Sequence, residues 1–184
     1  MNKRVWIPCA AFTAAVSLAM AIAAPKDPMV GGAPMYESKN IVQNAMNSTD
    51  HTTLVAAVKA AGLVDTLQSP GPFTVFAPTN EAFQKLPAGT VDTLLQPANL
   101  DQLKAVLTYH VVAGRISAHD LKNQIRQGNG SATLKTVNGE TLTAMMDGSQ
   151  IALKDQKGNV AHISISNVYQ SNGVIHVIDT VLMP

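Results

Sequence analysis

Five histidines stand in this chain, and any acid–base or metal chemistry would have to begin from them. Leu103, Val106, Leu107 and His110 fall at i, i+3, i+4 and i+7, so the His110 ring is predicted on the inner side of a helix. There its nitrogens would be satisfied by backbone or a hydroxyl, fixing helix to sheet. His176 and Asp179 lie three positions apart in a predicted strand, which sends their side chains to opposite faces and prevents a local acid–base pair. His162 reads as an isolated strand histidine, while His51 and His119 fall at helix starts and are expected to be solvated. Serines, histidines and aspartates all occur, but no Gly-x-Ser-x-Gly elbow is present to expose a nucleophile beside an oxyanion hole. Gly128-Asn129-Gly130 lacks the Lys-Ser/Thr that completes a phosphate loop and reads as a turn. Without a His-x-x-x-His pair or an Asp-rich loop there is no metal framework. The expectation is a protein with no catalytic residues, no metal and no cofactor.

The elements that would carry these residues follow from periodicity and punctuation. Ile41-Val42 and Ala45-Met46 predict a short helix. Asp50 is then the expected N-cap of a longer one, with Leu54, Val58 and Ala61 inward and Gly62 ending it. Phe73 to Ala77 alternates as a strand, and Thr79 is the expected N-cap of a helix with Phe83 packed inward. Asn99 and Gln102 have capping-box spacing ahead of the His110 helix. Ser117 and Asp120 repeat it for a short helix ending near Gln124. From Ser131 the period becomes two. Strands over 131–137 and 140–146 flank Asn138-Gly139, and strands over 150–154, 160–169 and 174–182 follow through Gly-containing turns. Helices first and mostly strands later make this an α+β chain.

The N-terminus reads as an address. Asn2-Lys3-Arg4 precedes an Ala-rich apolar run to Ala24, and Ala21-Ile22-Ala23 has the small-x-small pattern of a cleavage site. The predicted organisation is a cleaved signal peptide over 1–23, a Pro/Gly-rich flexible arm over 24–39 and one domain over 40–184, with no membrane span after cleavage. The single cysteine, Cys9, would leave with the leader, so the exported part would hold no disulfide. In 184 residues, 46% hydrophobic content can bury a full core, and a net charge of +1 makes nucleic acid an unexpected partner. Aromatic residues are only 4%, which argues against a deep, aromatic-lined sugar cleft but leaves a flat polar contact open.

Several segments together resemble the fasciclin-like domain family. Asp50-His51-Thr52-Thr53-Leu54-Val55 matches its opening, and Phe73-Thr74-Val75-Phe76-Ala77-Pro78-Thr79-Asn80-Glu81-Ala82-Phe83 its first signature. Tyr109-His110-Val111-Val112 matches its Tyr-His motif, and Asn172-Gly173-Val174-Ile175-His176-Val177-Ile178-Asp179 opens its second signature. The likeness runs from about residue 37 to the C-terminus. It implies a wedge-shaped β-sandwich with several packed helices, and a secreted or periplasmic role in adhesion to a cell-surface or matrix protein or polysaccharide. Where animal members carry an Asp-Ile pair linked with integrin binding, this chain has Asn167-Val168 and no carboxylate to reach an integrin's metal. Tyr109, His110, Asn167 and Val168 are therefore the candidate adhesion or structural motif. The competing expectation is a periplasmic carrier or sensor of a small apolar ligand, lined by the soft side chains Met145, Met146 and Met183.

Overall fold

Glycine punctuation and apolar alternation build the sheet; the earlier helices cover one of its faces and the last helix packs against the other. The computed structural model of the chain describes residues 27–184; the predicted leader over 1–23, with Cys9, lies outside the described residues. The first described elements are a small hairpin, β1 (Met29–Val30) and β2 (Ala33–Pro34). Over 27–39, the described part of the segment expected as an arm, the chain packs against the domain. Val30 and Met35 are 3% and 2% exposed, and the Gly31 carbonyl accepts from the Thr49 backbone N–H and hydroxyl. Gly31 has φ +58°, and a Cβ there would meet Ser48 Oγ at 2.3 Å, so only glycine lets the hairpin seat this closely. Proline and glycine content signalled a break in periodicity but not that two apolar side chains would anchor the segment.

Next come α1 (Ile41–Ala45), closed by an Asn40–Gln43 capping box, a 3₁₀ turn over Thr49–His51, α2 (Thr52–Ala60) and α3 (Val64–Gln68). Asp50 is absorbed in the 3₁₀ turn, so it does not cap α2 as expected; His51 takes the N-cap position without a side-chain bond. Strand β3 (Phe73–Pro78) leads into α4 (Asn80–Gln84), whose N-cap Thr79 accepts from the Ala82 N–H as predicted. After α5 (Thr90–Leu94) comes α6 (Leu100–Tyr109). The expected Asn99–Gln102 capping box does not form, because the Asn99 amide donates to the Thr93 carbonyl at 2.8 Å. A short strand β4 (Val111–Ala113) precedes α7 (Ala118–Gln127), which has the predicted Ser117–Asp120 capping box and runs beyond Gln124.

Five strands complete the chain: β5 (Ser131–Lys135), β6 (Thr141–Asp147), β7 (Gln150–Lys154), β8 (Val160–Gln170) and β9 (Gly173–Ile178). The sheet order is β4-β3-β9-β8-β7-β6-β5, antiparallel throughout except for the parallel β3–β9 pair. A bridge between Val112 and Thr136 brings the two edges together, so the sheet is close to a closed barrel. The strand expected over 174–182 stops at Ile178. Asp179 folds back, its carboxylate accepting from the His162 N–H at 2.8 Å, and the tail beyond is irregular although Val181 and Leu182 are buried.

Alternation on β3 and β9 divides the core in two. Val75, Ala77, Ile175 and Val177 pack with the helices α1 to α6, while Phe76 and Ile178 point the other way, into the curl of the sheet beside Leu121 and Ile125 of α7. These central strands are buried on both faces, which explains their nearly continuous apolar sequence.

Candidate functional site

The residues singled out from sequence lie inside this frame. Tyr109 is fully buried, and its hydroxyl donates to the Thr141 carbonyl of β6 at 2.9 Å. His110, the C-cap of α6, is 3% exposed. Its Nδ1–H donates to the Val106 carbonyl at 2.8 Å, and its Nε2 accepts from the Leu182 N–H at 3.1 Å. Those two backbone partners fix a neutral tautomer. Burial pushes the His110 pKa down to about 4, against the Val106 carbonyl and the Asp155 charge, which favour the proton. The Tyr-His pair thus ties the end of α6 to β6 and to the C-terminal tail.

Asn167 and Val168 sit where β8 departs from regular pairing with β9. Asn167 takes φ +59°, a left-handed conformation that asparagine tolerates better than most residues. This turns its side-chain oxygen to accept from the Ala118 N–H of α7 at 2.8 Å, while Val168 is fully buried. Beside it His176, also fully buried, donates from Nε2 to the Ile116 carbonyl at 2.9 Å and accepts at Nδ1 from the Asn167 N–H at 3.4 Å. Burial lowers the His176 pKa, with the Ile116 carbonyl opposing the shift.

These bonds converge on one loop. Between β4 and α7 the Thr74 hydroxyl donates to the Gly114 carbonyl at 2.6 Å and accepts from the Ile116 N–H at 2.9 Å. Arg115 donates to the Gln170 carbonyl at 2.7 Å. His176 holds Ile116, and Asn167 holds Ala118. Thr74, Asn167, Gln170 and His176 therefore fix the segment from which Arg115 and α7 project. Of the four residues offered as an adhesion motif, Asn167 positions this platform, whereas Tyr109 and His110 tie α6 to β6 and the tail and Val168 packs in the core. Replacing Asn167 with alanine is expected to cost about 1–2 kcal/mol in urea unfolding, through the strained φ and the lost bond to Ala118. Glycine there should lose less, since it restores the backbone freedom but not the hydrogen bond; equal losses would remove the conformational part of this account.

The other histidines divide differently from expectation. His119 is exposed. His51 is buried at 3% exposure, which corrects the solvated assignment: the N-terminal hairpin covers it, Ser48 Oγ bonds its Nδ1 at 2.9 Å, and its Nε2 has no hydrogen-bond partner among the described residues. Burial lowers its pKa, outweighing the Ala77 carbonyl and the Asp50 charge. His162 is not isolated, because its Nε2 faces Asp147 at 2.9 Å and its Nδ1 faces Asp179 at 3.6 Å, with Lys85 3.7 Å from the same Asp179 carboxylate. The two carboxylates face different ring nitrogens, a chain of polar contacts rather than a shared ligand sphere. Among the described residues no group of three His, Cys, Asp or Glu could hold a metal ion, and no helix is long and apolar enough to cross a membrane.

Met145 is half-buried and Met146 is exposed as its neighbour on β6, and neither they nor Met183 line the apolar cavity under α1 to α3, which is lined by residues such as Ile41, Leu54, Val58, Leu67 and Phe73. Its free volume is about 50 Å³, well below the roughly 300–1,000 Å³ of pockets that enclose small-molecule ligands.

Comparison with known proteins completes the picture. The sequence profile of the fasciclin domain matches residues 49–184. Protein sll1483 of Synechocystis sp. is 45% identical over 159 residues, covering 86% of this chain and 81% of that protein. The immunogenic protein MPB70 of Mycobacterium bovis is 40% identical over 145 residues, which are 76% of this chain and 66% of MPB70. The cell surface glycolipoprotein MPB83 of the same species is 39% identical, with 76% and 58% covered. Among solved structures, the FAS1 domain pair from the insect cell adhesion molecule fasciclin I superposes with a TM-score of 0.69 at 19% identity, over 79% of this chain and 51% of that one. At that identity the likeness is one of fold.

Proposed function

Because the chain belongs to the fasciclin domain family, we propose that it is an exported, non-catalytic binding module that contacts a cell-surface or matrix protein or polysaccharide. The observation that carries this reading is the placement of the motif residues. Tyr109, His110, Thr74 and His176 are all spent on backbone partners inside the fold, so recognition is left to the outer surface they brace. The cell-surface relative MPB83 supports an envelope setting. A short basic start, an Ala-rich run and the Ala21-Ile22-Ala23 pattern support export with a new N-terminus at Ala24. The rival reading as a carrier of a small apolar ligand is weakened by the size of the cavity under α1 to α3.

The test immobilises purified protein and titrates it against envelope and secreted fractions of the producing cells. Saturable retention that survives a salt wash, onto material then identified as protein or polysaccharide, is the expected result. No saturable retention, together with a small molecule found on the purified protein by native mass spectrometry, would transfer the assignment to the carrier.

A further inference from the structure

Helix α7 presents three faces. Ala118, Leu121 and Ile125 are buried in the core. His119, Lys122 and Arg126 form a basic stripe on a second face, and Asp120, Asn123, Gln124 and Gln127 recur at i, i+3, i+4 and i+7 on a third. That third face, with Arg115 and Ile116, lines an open polar cleft of about 330 Å³. The basic stripe lies outside the lining.

The two charged groups in the cleft are held in place by the protein. Arg115 donates from one guanidinium nitrogen to the Gln170 carbonyl and lies over the Tyr169 ring at 5.9 Å, leaving its other nitrogens without a partner among the described residues. Asp120 receives the Ser117 N–H and hydroxyl on one carboxylate oxygen, at 3.0 and 2.7 Å, leaving the second oxygen open. The side chains of Asn123, Gln124 and Gln127 make no hydrogen bond to the protein among the described residues, and each offers both a donor and an acceptor.

Building on the binding-module reading, we infer that this cleft binds an uncharged polysaccharide through the vicinal hydroxyls of its sugar units. One fixed cation and one fixed anion cancel, which suits a neutral ligand. Amide, carboxylate and guanidinium groups side by side match hydroxyls that both donate and accept. Because the platform loop is bonded at Gly114, Arg115, Ile116 and Ala118, little ordering is left to offset on binding. Tyr169 lies under the guanidinium, so contact is polar rather than by stacking, consistent with the low aromatic content.

The test is native affinity electrophoresis of the full protein in gels containing dextran, mixed-linkage β-glucan or galactomannan, with alginate and heparin as anionic comparators. Retardation by at least one neutral polymer is expected, weakened about tenfold in Gln124→Ala/Gln127→Ala. Both positions are exposed, so the melting temperature should be unchanged. No retardation by any neutral polymer, retardation untouched by the double variant, or retardation by the anionic polymers alone (a contact of the basic stripe) would overturn the inference. Envelope binding retained in full by the double variant would also overturn it, while leaving the binding-module reading intact.

Discussion

Replacing His110 with alanine is expected to lower the unfolding free energy by about 3 kcal/mol. The imidazole is packed at the junction of α6, β4 and the C-terminal tail, and both ring nitrogens are in use. Alanine leaves a void and strips the buried Leu182 N–H of its acceptor, and an orphaned buried donor costs more than the bond itself contributed. The tail carrying Val181 and Leu182 would lose one of the contacts that pin its backbone beyond β9, the Met183 N–H keeping its bond to the Asp155 carboxylate. Urea denaturation followed by circular dichroism measures the loss as a lower midpoint with little change in slope. A variant that unfolds like the parent yet no longer binds its partner would make His110 a contact residue and reverse its assignment here.

Acidification is expected to destabilise the fold strongly between pH 6.5 and pH 4. His110 is neutral in the folded protein down to about pH 4, whereas in the unfolded chain it takes a proton near its ordinary value of 6.5. The unfolded state therefore binds more protons throughout that window, and stability falls as the pH drops. For His110 alone the difference amounts to about 3 kcal/mol once the pH has reached its folded pKa. His51 and His176, both lowered chiefly by burial, act in the same direction. The measurement is the unfolding free energy as a function of pH, at fixed salt, for the parent and for His110→Ala. The parent should lose stability steeply, and in the variant unfolding near pH 5 should take up about one proton fewer. A flat profile from pH 7 to pH 4.5 would mean that these rings are solvated or already charged in the fold.

Local chemistry made much of this molecule readable from its residues. Asn138-Gly139 specified its hairpin, and Ser117 with Asp120 specified the start of α7, because each signal acts within a few positions. The same kind of signal misled at Asn99, where a side chain able to cap α6 found the Thr93 carbonyl instead. Strand β4 is three residues long and continues directly from α6, too short for a period to register. The burial of His51 depends on the hairpin above it, and the pairing of His162 with Asp147 and Asp179 depends on residues fifteen and seventeen positions away. The α7 cleft was half readable: its amide spacing stands in the sequence, but Arg115 joins it only because residues of β3, β8 and β9 fix the preceding loop.

The parallel pairing of β3 with β9 sets when this protein can fold. Phe73 lies against Gly173, 100 positions later in the chain, and both strands are interior to the sheet rather than at an edge. Closing so large a loop carries an entropic cost that no early local contact offsets, so the core waits for the last strand. A nascent chain lacking β9 leaves one edge of β3 unpaired and lacks the β9 side chains that fill both halves of the core. For a protein proposed to be exported, that delay has a use: the polypeptide remains threadable until β9 has been made.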